Sequence, residues 1–121
     1  MPPEVVSLAE KFALFSEHWS PKIVGEVNES YVKLVKLKGE FVWHHHPNED
    51  EMFLVVKGRL LIETPGKDLL LDPGDFVVIP MKLEHRPVAK DEVEVVLFEP
   101  KSTLNTGNLE NERTRTKLER L

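Results

Sequence analysis

There is no cysteine among these 121 residues. Disulfide staples, thiol nucleophiles and thiolate metal sites are therefore excluded, and any bound metal must rest on nitrogen and oxygen. Aromatic residues make up only 7% of the chain, and Tyr31 is the sole tyrosine. Positive charge is in deficit: 16 Lys and Arg stand against 21 Asp and Glu, a formal net charge of −5. No basic stripe for a phosphate backbone is visible, so nucleic acid is not expected as a partner. Long apolar runs are missing as well, and no stretch approaches a bilayer-spanning length. The opening MPPEVVSLAEKF has no basic segment followed by an apolar run, so it does not read as a secretory signal. A protein with no membrane partner and a cytoplasmic location is the expectation.

What is present suits one folded domain. Apolar residues make up 40% and charged residues 31%, a balance of globular rather than disordered chains. Ser7-Leu8-Ala9-Glu10 reads as a capping box, and Leu8, Phe12 and Phe15 recur at helical spacing, so a short helix is expected over Leu8–Phe15. From Lys22 the texture changes to short strands between turn signals. Candidates are Lys22–Val27, Tyr31–Lys38, Phe41–His46, Glu51–Val56, Arg59–Glu63, Asp68–Leu71, Phe76–Ile79, His85–Ala89 and Val93–Glu99. Lys57-Gly58 reads as a tight hairpin turn and Asp72-Pro73-Gly74-Asp75 as a strong turn. In Tyr31–Lys38 the apolar parity slips between Leu34 and Val35, which fits a bulge or a two-sided environment. Many short strands at near-regular spacing indicate an antiparallel all-β sandwich or barrel. The charged stretch from Asn105 to Leu121 fits either a terminal helix or an extended segment. Met52–Val56, MFLVV, is apolar on both pleat faces, so something covers the second face. Terminal segments or a second subunit would do it, and a homodimer is the favoured expectation.

Of the five histidines, three stand together at His44, His45 and His46, with Glu49-Asp50-Glu51 close behind and His85 well downstream. Side chains alternate on a strand, so His44 and His46 share a face and His45 points away. Imidazole is the commonest protein ligand for a transition metal, and a nearby carboxylate adds charge and an oxygen donor. The working set is His44, His46, Glu51 and His85. Glu51 stands directly before an apolar strand, which favours it over Glu49 and Asp50. His45 and the isolated His18 are expected at the surface, and Trp43 and Phe53 in packing. Lys82 and Arg86 lie near the presumed mouth as candidates to hold an anion, although solvated loop charge is the plainer reading.

The spacing resembles the cupin family. Its first motif runs glycine, spacer, His-x-His, three or four residues, Glu, six residues, Gly. Here Gly39 leads to His44 and His46, four residues precede Glu51 and six more precede Gly58. The leading spacer is four residues where five are usual. The second motif is matched at Gly74, Pro80 and His85, with Lys82 where a glycine and Ala89 where an asparagine is expected. The resemblance implies a double-stranded β-helix, a jelly-roll barrel. It divides the chain into an arm over residues 1–30 with a short helix and first strand, a barrel over 31–100 and a polar tail over 101–121. It also implies one divalent transition metal per chain on His44, His46, Glu51 and His85, with Fe, Mn, Ni, Zn, Co and Cu all suited to such donors. An octahedral ion so held keeps two open positions for a small-molecule ligand in the barrel.

Three functions follow. The first is a metal-dependent enzyme on a small oxygenated molecule, either dioxygenase-like or sugar isomerase-like. The second is a non-catalytic module binding a small molecule or sugar. The third is a barrel whose metal is purely structural, which an open three-histidine site disfavours because structural zinc sites are usually closed tetrahedra.

Overall fold

A computed structural model describes residues 2–121. A single helix, α1 (Leu8–Phe12), precedes β1 (Lys22–Val27), β2 (Ser30–Glu40), β3 (Glu51–Lys57), β4 (Leu60–Thr64), β5 (Lys67–Leu71), β6 (Phe76–Ile79), β7 (Arg86–Pro100) and β8 (Glu119–Arg120). The Ser7 hydroxyl caps α1 by accepting the Glu10 backbone N–H at 3.3 Å. The helix stops short of the expected Phe15. Lys36 Nζ takes the Phe15 carbonyl at 2.7 Å, which draws the chain onto the sheet while Phe12 and Phe15 stay buried.

The strands run β5-β4-β7-β2-β1-β8, and β3 joins β7 to β6. β7 is the long member on which the others are hung. Its first residues pair with β4, the stretch Glu94–Phe98 pairs with β3, and β2 follows both parts along the other edge. Two separate strands, His85–Ala89 and Val93–Glu99, were expected; one strand runs through both and carries its exposed residues at Lys90–Glu92. β2 shifts register between Leu37 and Gly39, where Gly39 has φ +88°. Bending in these two long strands folds the sheet over its own core into a double-stranded β-helix. β5 pairs only with β4 and β6 only with β3, so the sheet is not closed.

Two other expectations change. Lys57-Gly58 is not a hairpin turn, because β3 and β4 do not pair; both lie along β7 instead. Gly58 turns the corner against the β7 bend, where an added Cβ would stand 2.8 Å from the Glu92 carbonyl. Phe41–His46 is not a strand either. It makes one bridge, at His44, and Phe41 donates to the Pro87 carbonyl at 3.0 Å. Pro87 has no N–H to return that bond, so a regular ladder cannot form.

The inner core joins Val35, Leu37, Phe53, Val55, Leu60, Ile62, Val95 and their neighbours. A second cluster lies on the outer face, where Phe12 and Phe15 pack on Leu34 and Val96 with Leu54 and Val56 beside them. The Leu34/Val35 parity slip is therefore a two-sided environment. The terminal arm accounts for the outer face of MFLVV at Leu54 and Val56. The tail is neither a helix nor an extended segment but a run of turns, with Thr103 and Thr106 buried, and it reaches β8, parallel to β1.

Candidate metal centre

Each of the four candidate residues is placed by backbone that leaves it little freedom. His44 and His85 exchange backbone hydrogen bonds, N–H to carbonyl at 3.1 and 2.9 Å, which sets their rings on one side with centroids 4.4 Å apart. His46 lies two residues on, its own carbonyl held by the Lys82 N–H at 2.8 Å. Glu51 opens β3 on the inward face shared with Phe53 and Val55. All four side chains are buried, and one donor atom from each lies within 4.8 Å of the others. Glu51 Oε1 sits 3.2 Å from His46 Nε2 and 3.4 Å from His85 Nε2.

The donor chemistry fits a cation. His44 Nδ1 donates to the Val42 carbonyl and His85 Nδ1 to the Leu83 carbonyl, both at 2.9 Å. A carbonyl only accepts, so the proton of each ring is on Nδ1 and the Nε2 lone pair is free. The buried His85 Nε2 has no hydrogen-bond partner. Burial, and then the neighbouring His85, pushes His44 down to about 4, which keeps it neutral. Burial acts upward on Glu51, but the neighbouring Glu99, His46 and His85 outweigh it and hold Glu51 well below the usual carboxylate range. Burial and the charge of Glu51 push Glu99 well above that range, against the opposing pull of Lys33.

A cavity of about 40 Å³ adjoins the cluster, with Trp19, Phe41, Phe53 and Leu97 among its apolar walls and Glu99 and Asn105 as polar members. Trp19 and Phe41 stack with centroids 4.7 Å apart, and Phe41 meets His44 edge-on. The Arg113 guanidinium covers both stacked rings at 5.9 and 5.6 Å. The tail is clipped over the histidines. Asn108 N–H donates to the His45 carbonyl at 2.8 Å, and its side-chain oxygen accepts the His45 N–H at 2.9 Å.

The remaining candidates lie elsewhere. His45 is half-buried, with Nδ1 3.4 Å from Glu84. His18 pairs with Glu92 at 2.6 Å. Phe53 packs in the core as expected, but Trp43 is 42% exposed, with the Arg86 guanidinium over its ring. Arg86 is committed to Glu63 and Glu40, which leaves it poorly placed to hold an anion. Lys82 is exposed and takes φ +73°, the backbone conformation that explains a glycine in the family motif. The reading of the sequence passed over Glu99 and Lys33. Their signal was parity: 93, 95, 97 and 99 fall in phase on β7, as do 33, 35 and 37 on β2. It also passed over Trp19, Phe41 and the tail residues, which no periodicity marks.

This jelly roll, with its buried His/His/Glu/His cluster, is the architecture of a cupin. The chain belongs to that family: the Cupin domain model matches residues 31–100. A crystal structure of a cupin-2 domain containing protein from Shewanella frigidimarina is 43% identical. It superposes with a TM-score of 0.79, covering 80% of this chain and 95% of that one. The uncharacterized protein YdbB of Bacillus subtilis is 41% identical over 78 residues, 64% of this chain and 63% of that protein. Acireductone dioxygenase of Bacillus licheniformis is 32% identical over 69 residues, 53% of this chain and 38% of that protein. The chain thus spans less than two thirds of either of these two curated relatives.

Proposed function

We propose that the chain holds one divalent transition metal, from among Fe, Mn, Ni, Zn, Co and Cu, on His44, His46, Glu51 and His85. On this reading it is an enzyme acting on a small oxygenated molecule in the adjoining cavity, dioxygenase-like rather than sugar isomerase-like. A bound divalent ion supplies Lewis acidity toward an oxygen of that molecule. The observation that carries the reading is the meeting of four buried donors beside a mostly apolar cavity. Trp19, Phe41, Phe53 and Leu97 offer a polyol no partners on those walls, and each buried hydroxyl left unpaired costs about 1–3 kcal/mol. A compact ligand with one oxygenated end avoids that cost. The likeness to acireductone dioxygenase supports the same choice.

The protein's part is to bind, orient and exclude water. The Nδ1 bonds of His44 and His85 fix both rings, and the stacked Trp19–Phe41 pair with Arg113 above it closes the cavity on one side. A second reading, a non-catalytic small-molecule module, is favoured by the state of the cavity's polar groups. The Asn105 amide is engaged by Arg113 and Arg115, and Glu99 by Lys33. We also propose a homodimer, supported by exposed Leu70, Phe76 and Val78 near the open strand edges.

Elemental analysis of protein purified without added metal tests the site. Near-stoichiometric metal is expected, with its loss in His46→Ala and in Glu51→Ala; retention in both variants would overturn the assignment. Oxygen uptake by the iron form across diketones, catechols and thiols then tests the activity. Ligand-dependent rises in melting temperature without turnover would favour the binding module.

A further inference from the structure

The barrel interior holds a lysine and a glutamate outside the four-residue cluster. Lys33 and Glu99 are each 2% exposed. Lys33 is in phase with Val35 and Leu37, and Glu99 with Val95 and Leu97, so both point into the core. The β2–β7 register pairs Lys33 with Leu97 and Tyr31 with Glu99, which sets Lys33 and Glu99 on a diagonal. Their side chains close it, Nζ to Oε1 at 2.9 Å. Across the other edge of β7, β3 pairs Phe53 with Leu97 and Met52 with Phe98, which brings Glu51 level with Glu99. The two carboxyl groups are thus cross-strand neighbours on the inward face and line the same cavity. A polar line therefore runs across three strands, from Lys33 through Glu99 to Glu51 and so to His46 and His85. Glu99 Oε2 is sealed from solvent and faces no donor side chain.

Stability alone does not explain this line. Replacing a buried ion pair by apolar residues of similar volume is often neutral or stabilising. Ligating carboxylates, in contrast, depend on outer groups that hold them, and loss of such a partner typically costs 10–100-fold in metal affinity. We propose that Lys33 and Glu99 are positioning residues of the metal centre: Lys33 pins Glu99, and Glu99 fixes the Glu51 side chain so that Oε1 faces His46 and His85. This inference rests on the four-ligand reading above. It adds two residues that lie beyond the cupin motifs and supply none of the four donor atoms.

The test is metal affinity measured on folded protein, with Co²⁺ as the probe, by chelator competition and by the visible spectrum of the bound ion. The parent is measured first. Failure of the parent to bind Co²⁺ at His44, His46, Glu51 and His85 would sink the metal reading and this inference with it. In Lys33→Met/Glu99→Leu the pair is replaced by apolar side chains. This variant is expected to melt, free of metal, no lower than the parent, yet to bind Co²⁺ about 10–100-fold more weakly with an altered spectrum. Glu99→Gln keeps an amide able to donate to Glu51 and is expected to restore binding to within a few-fold of the parent. Glu99→Asp keeps a carboxyl group beside Lys33 but draws it back by a methylene. It is expected to lose about tenfold, and it provides the measurement should the double variant not fold. Parental affinity and spectrum in the double variant, or in Glu99→Asp where only that variant folds, would overturn the inference and leave the four ligands standing.

Discussion

His44 shows what burial does to a single side chain. In the fold, enclosure and the adjacent His85 hold it at about 4, whereas an unfolded chain leaves it near 6.5. Between those two values the unfolded chain takes up a proton that the folded chain refuses. The stability of metal-free protein therefore rises from about pH 4 to 6.5 on account of this residue and is level above, a span on the order of 3 kcal/mol. Glu51, held low, adds to the loss as the pH falls through 4.5. Glu99 acts in the other direction: the fold keeps its proton after the unfolded chain has released it, so it costs stability above 4.5. The two are separated by comparing chelator-treated parent with His44→Gln in denaturant melts across pH 4.5–7. The difference between the two curves should grow with pH up to about 6.5. A constant difference would remove the burial account of His44. At this scale the sequence was informative where chemistry and parity agreed. His44, His46, Glu51 and His85 are the residue types a cation needs, and they do converge. Lys33 and Glu99 escaped because a charge among apolar neighbours is ordinarily read as facing water. Their phase put them inside, and only the cross-strand register shows that each has the other to meet.

Among the elements, the strands announced themselves by alternation and the tail did not. What holds the tail is a set of single hydrogen bonds: Thr106 Oγ1 to the Leu109 carbonyl, Asn105 to the Arg113 carbonyl, and the Asn108 clip on His45. Such bonds leave no period in a sequence. Gly107 is the point where this segment comes closest to the cluster. Its φ is +60°, and an added Cβ would collide with the His45 carbonyl and stand 2.9 Å from His44 Cδ2. Gly107→Ala is expected to lose about 1–3 kcal/mol from backbone strain and, by lifting the tail off His44, to weaken metal binding as well. Gly39→Ala is the control. Its φ is +88° but nothing lies within 4 Å of its added Cβ, so stability should fall while metal affinity stays at the parental value. Thermal melts read the first effect and chelator competition the second. Equal affinities in the two variants would show that the tail is not coupled to the site. The same contrast explains Lys57-Gly58. A Gly after a strand marks a turn, but whether the chain doubles back or passes a corner is decided by β7, which lies far along the sequence.

Over the whole molecule, the outer face of the sheet carries two apolar rows across four strands. One runs Phe76, Leu54, Val96, Leu34 and the other Val78, Met52, Phe98, Val32. Exposure climbs along the first row, from 0% at Leu34 and 6% at Val96 to 63% at Phe76. The reason is the length of the cover. α1 has five residues, and Phe12 and Phe15 shield the Leu34 end without reaching β6. MFLVV pointed to a covered second face, and half of that cover is the chain's own arm. The other half, around Phe76 and Val78, is bare and lies on β6, an edge strand paired on one side only. A second copy related by a two-fold axis would bury the same patch on both subunits, the arrangement that self-complementary surfaces favour. The parent is therefore expected to sediment as a dimer, and Phe76→Glu/Val78→Glu as a monomer. Since both side chains are already exposed, their replacement should move the subunit's own stability by no more than about 0.5 kcal/mol apiece. Dissociation without unfolding is thus the signature of a docking face. A double variant that still sediments as a dimer would place the contact elsewhere on the molecule, and a monomeric parent would leave these rows as exposed surface with no subunit to cover them.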